Sequence, residues 1–331
     1  MEKEVDVLFE ASFPEEAALR FGIAPESLAS LGDYESYIFA GDRNGLPVIL
    51  RISHSSHKSV SQLLAEVDFV AYLKNNGVRT YNQYTSTAGQ FVETIPAGDG
   101  SEFYAMVYEK LPGKEVKGSD IKGNEALVNE WGRTIGKMNA LSGFYSPSAG
   151  IEKRLGWQEE ELLDFTAYGE QVPASFQKYS DHVVKQLLNL PVNEGNYGLI
   201  HSDLHQRNFL FDHGKLNVFD FDDCSYHWFA SDIAIPLYYS LLQQPTEDKD
   251  EYAQWFMKHF LQGYRKEKEI GKEELESIPL FLRLRDLTLL SSMYKKFDLG
   301  NMDSGQERLF KNVYKRVKSE QLLTSIHFSK F

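Results

Sequence analysis

A single cysteine, Cys224, is all the thiol the chain holds. An internal disulfide is therefore excluded, and so is a zinc site built from several thiolates. An excess of positive charge is also lacking: 35 Lys and Arg stand against 48 Asp and Glu, for a formal net charge of -13. Binding a nucleic-acid backbone depends on cations that displace condensed counterions, so this balance argues against nucleic acid as a partner. Cationic small molecules, or substrates carried with a divalent metal, suit it better. No apolar run is long enough to span a bilayer, and the opening MEKEVDVLFE has no basic region followed by an apolar stretch. The expectation is a cytoplasmic protein with no membrane partner. Internal repeats and low-complexity segments are missing as well.

What is there is ordinary globular composition over 331 residues, 42% hydrophobic and 25% charged, enough for one or two domains. After a short helical opening around PEEAALRFGI, the stretch YESYIFAGDRNGLPVILRI alternates like two strands joined at Asn44-Gly45, a strong hairpin signal. In SVSQLLAEVDFVAYLKNNGV, Ser59 and Gln62 form a capping-box pattern, and Val60, Leu63, Leu64, Val67 and Val70 recur at helical spacing until Gly77. Glu66 sits on the shoulder of that apolar stripe, where its carboxylate can point along the packed face. QFVETI and EFYAMVYEKL read as further strands, broken by Pro112-Gly113. From about NEALVNEWGRTIGKMNAL onward the periodicity is mostly helical. The exception is 198–221, which reads as strand, loop, strand NFLF, turn at Asp212-His213-Gly214, and strand LNVF ending at Asp220. The pattern predicts an α+β protein with a small sheet-rich lobe over 1–109 and a helical lobe over 110–331 that carries one polar loop and hairpin.

That loop, HSDLHQRN at 201–208, supports three chemistries. His201, Asp203 and His205 would share one face of a strand and offer two imidazoles and a carboxylate to zinc or iron, but Gln206-Arg207-Asn208 would then be idle. VFDFDD could supply Asp220 as a phosphate-accepting nucleophile with Asp222 as its acid partner, as in the haloacid-dehalogenase phosphatases, although that family places its D-x-D near the start of a parallel-sheet domain. The third chemistry uses both pieces. Phosphoryl transfer from ATP needs a carboxylate to orient and deprotonate an attacking hydroxyl, and oxygen ligands that hold magnesium against the phosphates. An Asp with an Asn five positions on, followed by a hairpin ending in Asp, supplies all three. D-x-x-x-x-N alone is a weak signal; with the hairpin and Asp220 it becomes strong.

LIHSDLHQRNFLF together with VFDFDDC resembles the aminoglycoside phosphotransferase and choline kinase-like family, relatives of the protein kinases, and the likeness runs over most of the chain. It implies a protein-kinase-like two-lobed fold, with a β-rich N-lobe, a larger mainly helical C-lobe, ATP and Mg2+ as cofactors, and an alcohol group as phosphate acceptor. Carried onto this sequence, Asp203 is the catalytic base and Asn208 and Asp220 are the magnesium ligands. Arg51 in VILRI, where protein kinases have Lys, is the cation on the phosphates, held by Glu66; its fork can bind phosphate and carboxylate together. Gly32 and Ser36 mark the phosphate-covering turn, with backbone amides from Asp33 to Ser36 as its donors; this stretch has little glycine, and Ser36 stands where relatives commonly have Asn. Tyr108, Glu109 and Lys110 fall at the lobe connection that reads adenine. His201 and Asp232 brace the catalytic loop. Asn139 departs from a Leu-His pair common in relatives, which touches only a local packing contact.

The acceptor is the least legible part. Asp222, Asp223 and Trp228, with Tyr226 and Trp157, could line a site for an amine through charge and cation-π contacts, while Trp228 and its neighbours could equally be core. The family resembled includes kinases of aminoglycosides, choline, homoserine and methylthioribose, and some members act on protein serine or threonine. A hydroxyl-bearing small molecule is the expectation. A Ser/Thr protein kinase of the same fold, or a non-catalytic pseudokinase-like module, is the alternative; the intact set of Asp203, Asn208, Asp220, Arg51 and Glu66 argues against the last.

Overall fold

Left-handed backbone at Asn44 (φ 55°) and Gly45 (φ 82°) turns Tyr37–Arg43 back antiparallel onto Leu46–His54. An Asn-Gly pair tolerates that conformation best, so the hairpin expected from sequence forms with its turn at the expected place. The structure, a computed structural model, describes residues 3–33, 35–159, 161–245 and 248–331. It divides into two compact units, Met1–Lys114 with Tyr145–Arg154 and Asn217–Asp222, and Glu115–Phe144 with Leu155–Leu216 and Asp223–Phe331. This differs from a single cut at 109/110: the end of the 198–221 segment, expected in the helical lobe, goes with the first unit.

In the first unit, helices α1 (Lys3–Asp6) and α2 (Phe13–Phe21) precede strands β1 (Ala29–Gly32), β2 (Tyr37–Arg43) and β3 (Leu46–His54), and helix α3 (Val60–Asn75) precedes β4 (Gln83–Tyr84), β5 (Glu93–Pro96) and β6 (Glu102–Glu109). The antiparallel sheet has the order β1-β2-β3-β6-β4, and β5 also pairs with β6. Val48, Leu50 and Ile52 of β3 alternate into a core with Phe13, Phe21, Phe103 and Val107, as one face of a half-buried sheet must. Arg51 therefore points to the opposite face, over which α3 lies packed through Leu63, Val67, Tyr104 and Met106. Helix α3 starts where its capping box predicts. Ser59 Oγ accepts from the Gln62 amide at 3.3 Å, and Gln62 Oε1 accepts from the Ser59 amide at 3.0 Å.

Side-chain and backbone bonds bind Asn217–Asp222 to this unit. Asn217 Oδ1 accepts from Arg79 Nε (2.8 Å), its Nδ2 donates to the Pro112 carbonyl (2.7 Å), and the Val218 amide donates to the Arg79 carbonyl (2.8 Å). Phe221 is fully buried beside Phe69 and Tyr81.

The two-residue strand β7 (Lys114–Glu115) leads into helix α4 (Glu125–Ser142), and α5 (Ala174–Leu188) follows three 3-10 turns. Strand β8 (Tyr197–Ile200) enters the polar loop, β9 (Phe209–Asp212) leaves it, and β10 (Lys215–Val218) follows a turn with His213 (φ 47°) and Gly214 (φ 78°) left-handed. Strand β11 (Ser225–Trp228), which periodicity did not reveal, pairs antiparallel with β8, Ser225 opposite Ile200 and Trp228 opposite Tyr197. Helices α6 (Phe229–Leu242), α7 (Lys249–Tyr264), α8 (Lys272–Lys296) and α9 (Ser304–Ser319) complete the second unit. Helices α4 and α7 touch backbone to backbone: a Cβ at Gly132 would fall 1.9 Å from the Phe260 carbonyl oxygen, and one at Gly263 1.8 Å from that of Asn129. No helix among the described residues is long and apolar enough to cross a membrane.

Candidate active site

In the first unit, Arg51 Nη2 donates to Glu66 Oε2 at 2.7 Å, with both side chains almost wholly buried. Two dehydrated charges this close need further partners. Tyr81 OH lies 3.4 Å from Glu66 Oε1, and Asp222 Oδ1 lies 3.7 Å from Arg51 Nη1. Burial alone would lower the Arg51 pKa, but Glu66 and Asp222 outweigh it and hold the guanidinium well above its ordinary value. Its Nε is buried with no hydrogen-bond partner among the described residues.

Asp222, expected with Asp223 at the acceptor, stands in this cationic cluster. Lys58 Nζ stands 3.7 Å from its carboxylate and donates to its carbonyl at 3.0 Å, and Arg154 Nη2 donates to the same carbonyl at 2.5 Å. Burial raises its pKa, yet Lys58, Arg51, Arg154 and His57 prevail and depress it. Asp220, two residues earlier, adopts φ 65°, a left-handed conformation that costs a non-glycine residue about 1 kcal/mol or more.

Tyr108 stacks on Tyr81 with ring centroids 4.5 Å apart. The amides of Glu109 and Lys110 donate to the carbonyls of Asn82 (2.8 Å) and Pro47 (3.1 Å), and the Glu109 carboxylate accepts from Asn82 Nδ2 at 2.7 Å. Those two amides are thus already engaged within the unit. Gly32 ends β1 next to a register shift, exposed, with no heavy atom among the described residues within 4 Å of a Cβ placed there. Ser36 Oγ pairs with Ser53 Oγ at 2.8 Å. Of the backbone amides expected over Asp33 to Ser36, that of Tyr34 lies outside the described residues.

In the second unit, the turn after β8 forces Ser202 to φ 68°. Two anchors hold it: the Ser202 amide donates to Asp232 Oδ1 at 2.9 Å, and Ser202 Oγ pairs with Ser225 Oγ at 2.8 Å. His201 is buried, and its Nδ1 accepts from the Asp203 amide at 3.4 Å. Both His201 and Asp232 thus stand behind the loop. Trp131 Nε1 donates to the Leu204 carbonyl at 3.2 Å, and Asn208 Nδ2 donates to the Asp203 carbonyl at 2.9 Å and to Asp203 Oδ2 at 3.3 Å. With its amide nitrogen so used, Asn208 keeps its amide oxygen as the atom suited to a hard cation.

His205 Nε2 is 3.5 Å from Asp203 Oδ2. Burial, then Arg285, His201 and Arg207, push the imidazole pKa down to about 3, so at neutral pH this contact joins an ion to a neutral ring. The transition-metal arrangement does not form: His201, Asp203 and His205 make no group of ligand atoms close enough to share one ion. Asn139, the packing departure, is buried, with Nδ2 3.4 Å from Tyr264 OH.

Two residues without any sequence signal complete the loop's surroundings. Arg285 of α8 makes an ion pair with Asp203 Oδ1, and its Nε donates to Tyr239 OH of α6 at 3.1 Å. Arg285 and Asp223 also line a pocket whose wall includes Trp157, His227, Phe281 and Leu284. Trp228 is absent from that wall. It is 5% exposed, its indole donates to the Pro191 carbonyl at 2.9 Å, and its ring packs against Trp157, Tyr197 and Phe281, so it belongs to the core and not to an amine site.

A kinase-like antiparallel sheet with a buried Arg-Glu pair, and a helical unit carrying H-x-D-x-x-x-x-N on a braced loop, define a small-molecule phosphotransferase. Residues 30–270 match the model of the phosphotransferase enzyme family, to which the chain belongs. It is similar to the amicoumacin kinase of Bacillus subtilis (strain 168), with 35% identity over 316 residues, 95% of this chain and 94% of that protein. It is also similar to a solved amicoumacin kinase, hAmiN, in complex with AMP-PNP, Ca2+ and Ami, at TM-score 0.92 and 34% identity over 100% of this chain and 99% of that one. A microcompartment-associated aminopropanol kinase shares the fold at TM-score 0.76 and 19% identity, over 94% of this chain and 98% of that one. The phosphotransferase class and the fold class expected from sequence both hold, in place of the zinc and haloacid-dehalogenase alternatives.

Proposed function

We propose that this enzyme transfers the terminal phosphate of Mg-ATP to a hydroxyl of amicoumacin or a close analogue. The observation that carries the reading is the setting of Asp203: a carboxylate fixed by Asn208 and Arg285, beside a pocket with an aromatic wall and one acidic group, Asp223. An acceptor with an apolar ring system and an amine suits that lining. Two relatives similar over nearly the whole chain are amicoumacin kinases, one of them bound to an ATP analogue and a divalent cation.

In the proposed reaction, Asp203 accepts a hydrogen bond from the acceptor hydroxyl and takes its proton. The hydroxyl oxygen forms a bond to the terminal phosphorus as the bond from phosphorus to the bridging oxygen breaks, and ADP leaves with that electron pair. Arg51 binds phosphate oxygens while Glu66 holds its guanidinium, and the buried Nε without a partner fits an anion there. The amide oxygen of Asn208 and the carboxylate of Asp220 are hard oxygen donors that fit magnesium. When bound, the ion neutralises charge on the phosphates.

The test is incubation of the purified protein with ATP, magnesium and amicoumacin, read by mass spectrometry for gain of one phosphoryl group and by ADP release. Phosphorylation of choline, aminoglycosides or protein serines in preference to amicoumacin would replace the substrate assignment; no transfer to any acceptor would end the kinase mechanism.

A further inference from the structure

Among the described residues, charged and titratable groups on its own loop, on α6, before β11 and on α8 shape the surroundings of Asp203. His205, on its own loop, is neutral at a pKa of about 3. Tyr239, on α6, is kept protonated chiefly by burial, with its phenol above the ordinary value. Asp223, before β11, carries like charge and enters the electrostatics of both Tyr239 and Arg285. Arg285, on α8, is the cation paired with Asp203 Oδ1. Burial alone would lower its pKa, but Tyr239 and Asp203 reverse this and hold it above the ordinary value.

The guanidinium is itself fixed. Its Nε reaches Tyr239 OH at 3.1 Å, and its central carbon lies 5.1 Å from the centroid of the Tyr239 ring. The two Asp203 oxygens are thereby distinguished: Oδ2 takes Asn208 Nδ2, and Oδ1 takes Arg285, a residue of the pocket wall. An arginine on a catalytic carboxylate weakens it as a base. Where the phosphoryl group crosses a loose transition state, little basicity is needed and orientation matters more, so the exchange favours the reaction.

We propose that Arg285, braced by Tyr239, is the positioning residue of Asp203: its ion pair to Oδ1 fixes the carboxylate rotamer that meets the reacting hydroxyl. This rests on the phosphotransfer reading above. Arg285 acts through Asp203 and takes no proton.

The test compares wild type with Arg285→Ala, Arg285→Lys and Tyr239→Phe under saturating ATP and amicoumacin. Arg285→Ala is expected to lower kcat by about 10²-fold, with KM for ATP within about twofold of wild type. Added guanidinium or methylguanidinium should restore part of that loss, the acidic limb of the kcat profile should move to higher pH, and Arg285→Lys should fall between the two. Tyr239→Phe, which deletes one oxygen, should lower kcat in the same sense but less, and it decides the matter if Arg285→Ala does not fold. A kcat within about threefold of wild type in both variants, or a loss that guanidinium does not restore and that leaves the pH profile in place, would overturn the positioning role while wild-type turnover stands. Absence of turnover in wild type would overturn the phosphotransfer reading itself, and this role with it.

Discussion

Arg51 and Glu66 face each other at 2.7 Å, one from the middle of β3 and the other from the second turn of α3, with side chains only 5% and 1% exposed. A pair so dehydrated is costly to break from one side, because the charge left behind keeps its desolvation penalty.

Glu66→Ala is accordingly expected to destabilise the protein by about 3–5 kcal/mol, measured by urea unfolding. Replacing both residues by Met should cost less than that single change, since no uncompensated charge remains. ATP binding should be lost in the double variant all the same, because the proposed phosphate contact is gone. If Glu66→Ala unfolds at the wild-type midpoint, the pair is not the strut described.

Asp203→Asn keeps the shape of the side chain and removes the base. The expected result is a fall in kcat of about 10²–10⁴-fold with ATP affinity nearly unchanged, read by steady-state kinetics beside nucleotide titration. Parallel loss of binding and turnover would mean that Asp203 holds the metal or the fold instead.

The carboxyl of Asp232 is pushed up to about 7 by burial, although the amides of Ser202 and His201 pull the other way. Its Oδ2 has no hydrogen-bond partner among the described residues, which makes it the seat for that proton. A folded pKa above the unfolded value of 3.8 means that the folded state binds the extra proton. The contribution to stability is therefore whole below 3.8 and is lost as pH rises through about 7. Asp232→Asn cannot ionise, so its melting temperature relative to wild type should climb from about pH 4 to about pH 7 and level off above that. A difference that stays flat with pH would show that Asp232 is ionised throughout.

Local chemistry explains which parts of the site could be read from the sequence. Asn44-Gly45, the Ser59 and Gln62 box and the Asp203 to Asn208 spacing are short-range signals, each set by a few neighbouring residues, and each appears where expected. Arg51 and Glu66 were legible through the family resemblance, with helix periodicity adding that Glu66 sits on the shoulder of the apolar stripe; the structure pairs them. Arg285 and Tyr239 were not, because they come from separate helices, where an arginine in LRLRDL looks like any surface charge until tertiary packing buries it. Asp222 and Asp223 show the same limit. Adjacent in sequence and alike in chemistry, they engage different groups, and only tertiary packing says which: Asp222 meets Arg51, Lys58 and Arg154, and Asp223 lines the pocket with Arg285.

Gly132 and Gly263 are the hidden requirement of the second unit. Neither has a positive φ, so backbone conformation does not demand glycine at either place; the need is steric. A methyl group at Gly263 would meet the Asn129 carbonyl oxygen at 1.8 Å and its carbonyl carbon at 2.7 Å, and one at Gly132 would meet the Phe260 carbonyl at 1.9 Å. These are backbone atoms inside α4 and α7, which cannot rotate aside as a side chain can, so the helices must separate along their whole contact. Alanine ordinarily favours an α-helix over glycine by about 1 kcal/mol. Here overpacking should reverse that sign and cost about 1–3 kcal/mol or more at each site. Because both substitutions force the same two helices apart, the second should cost less than the first. Thermal unfolding of Gly132→Ala, Gly263→Ala and the double variant checks this: single variants as stable as wild type would show that the helices do not touch backbone to backbone, and fully additive losses that the two contacts yield independently.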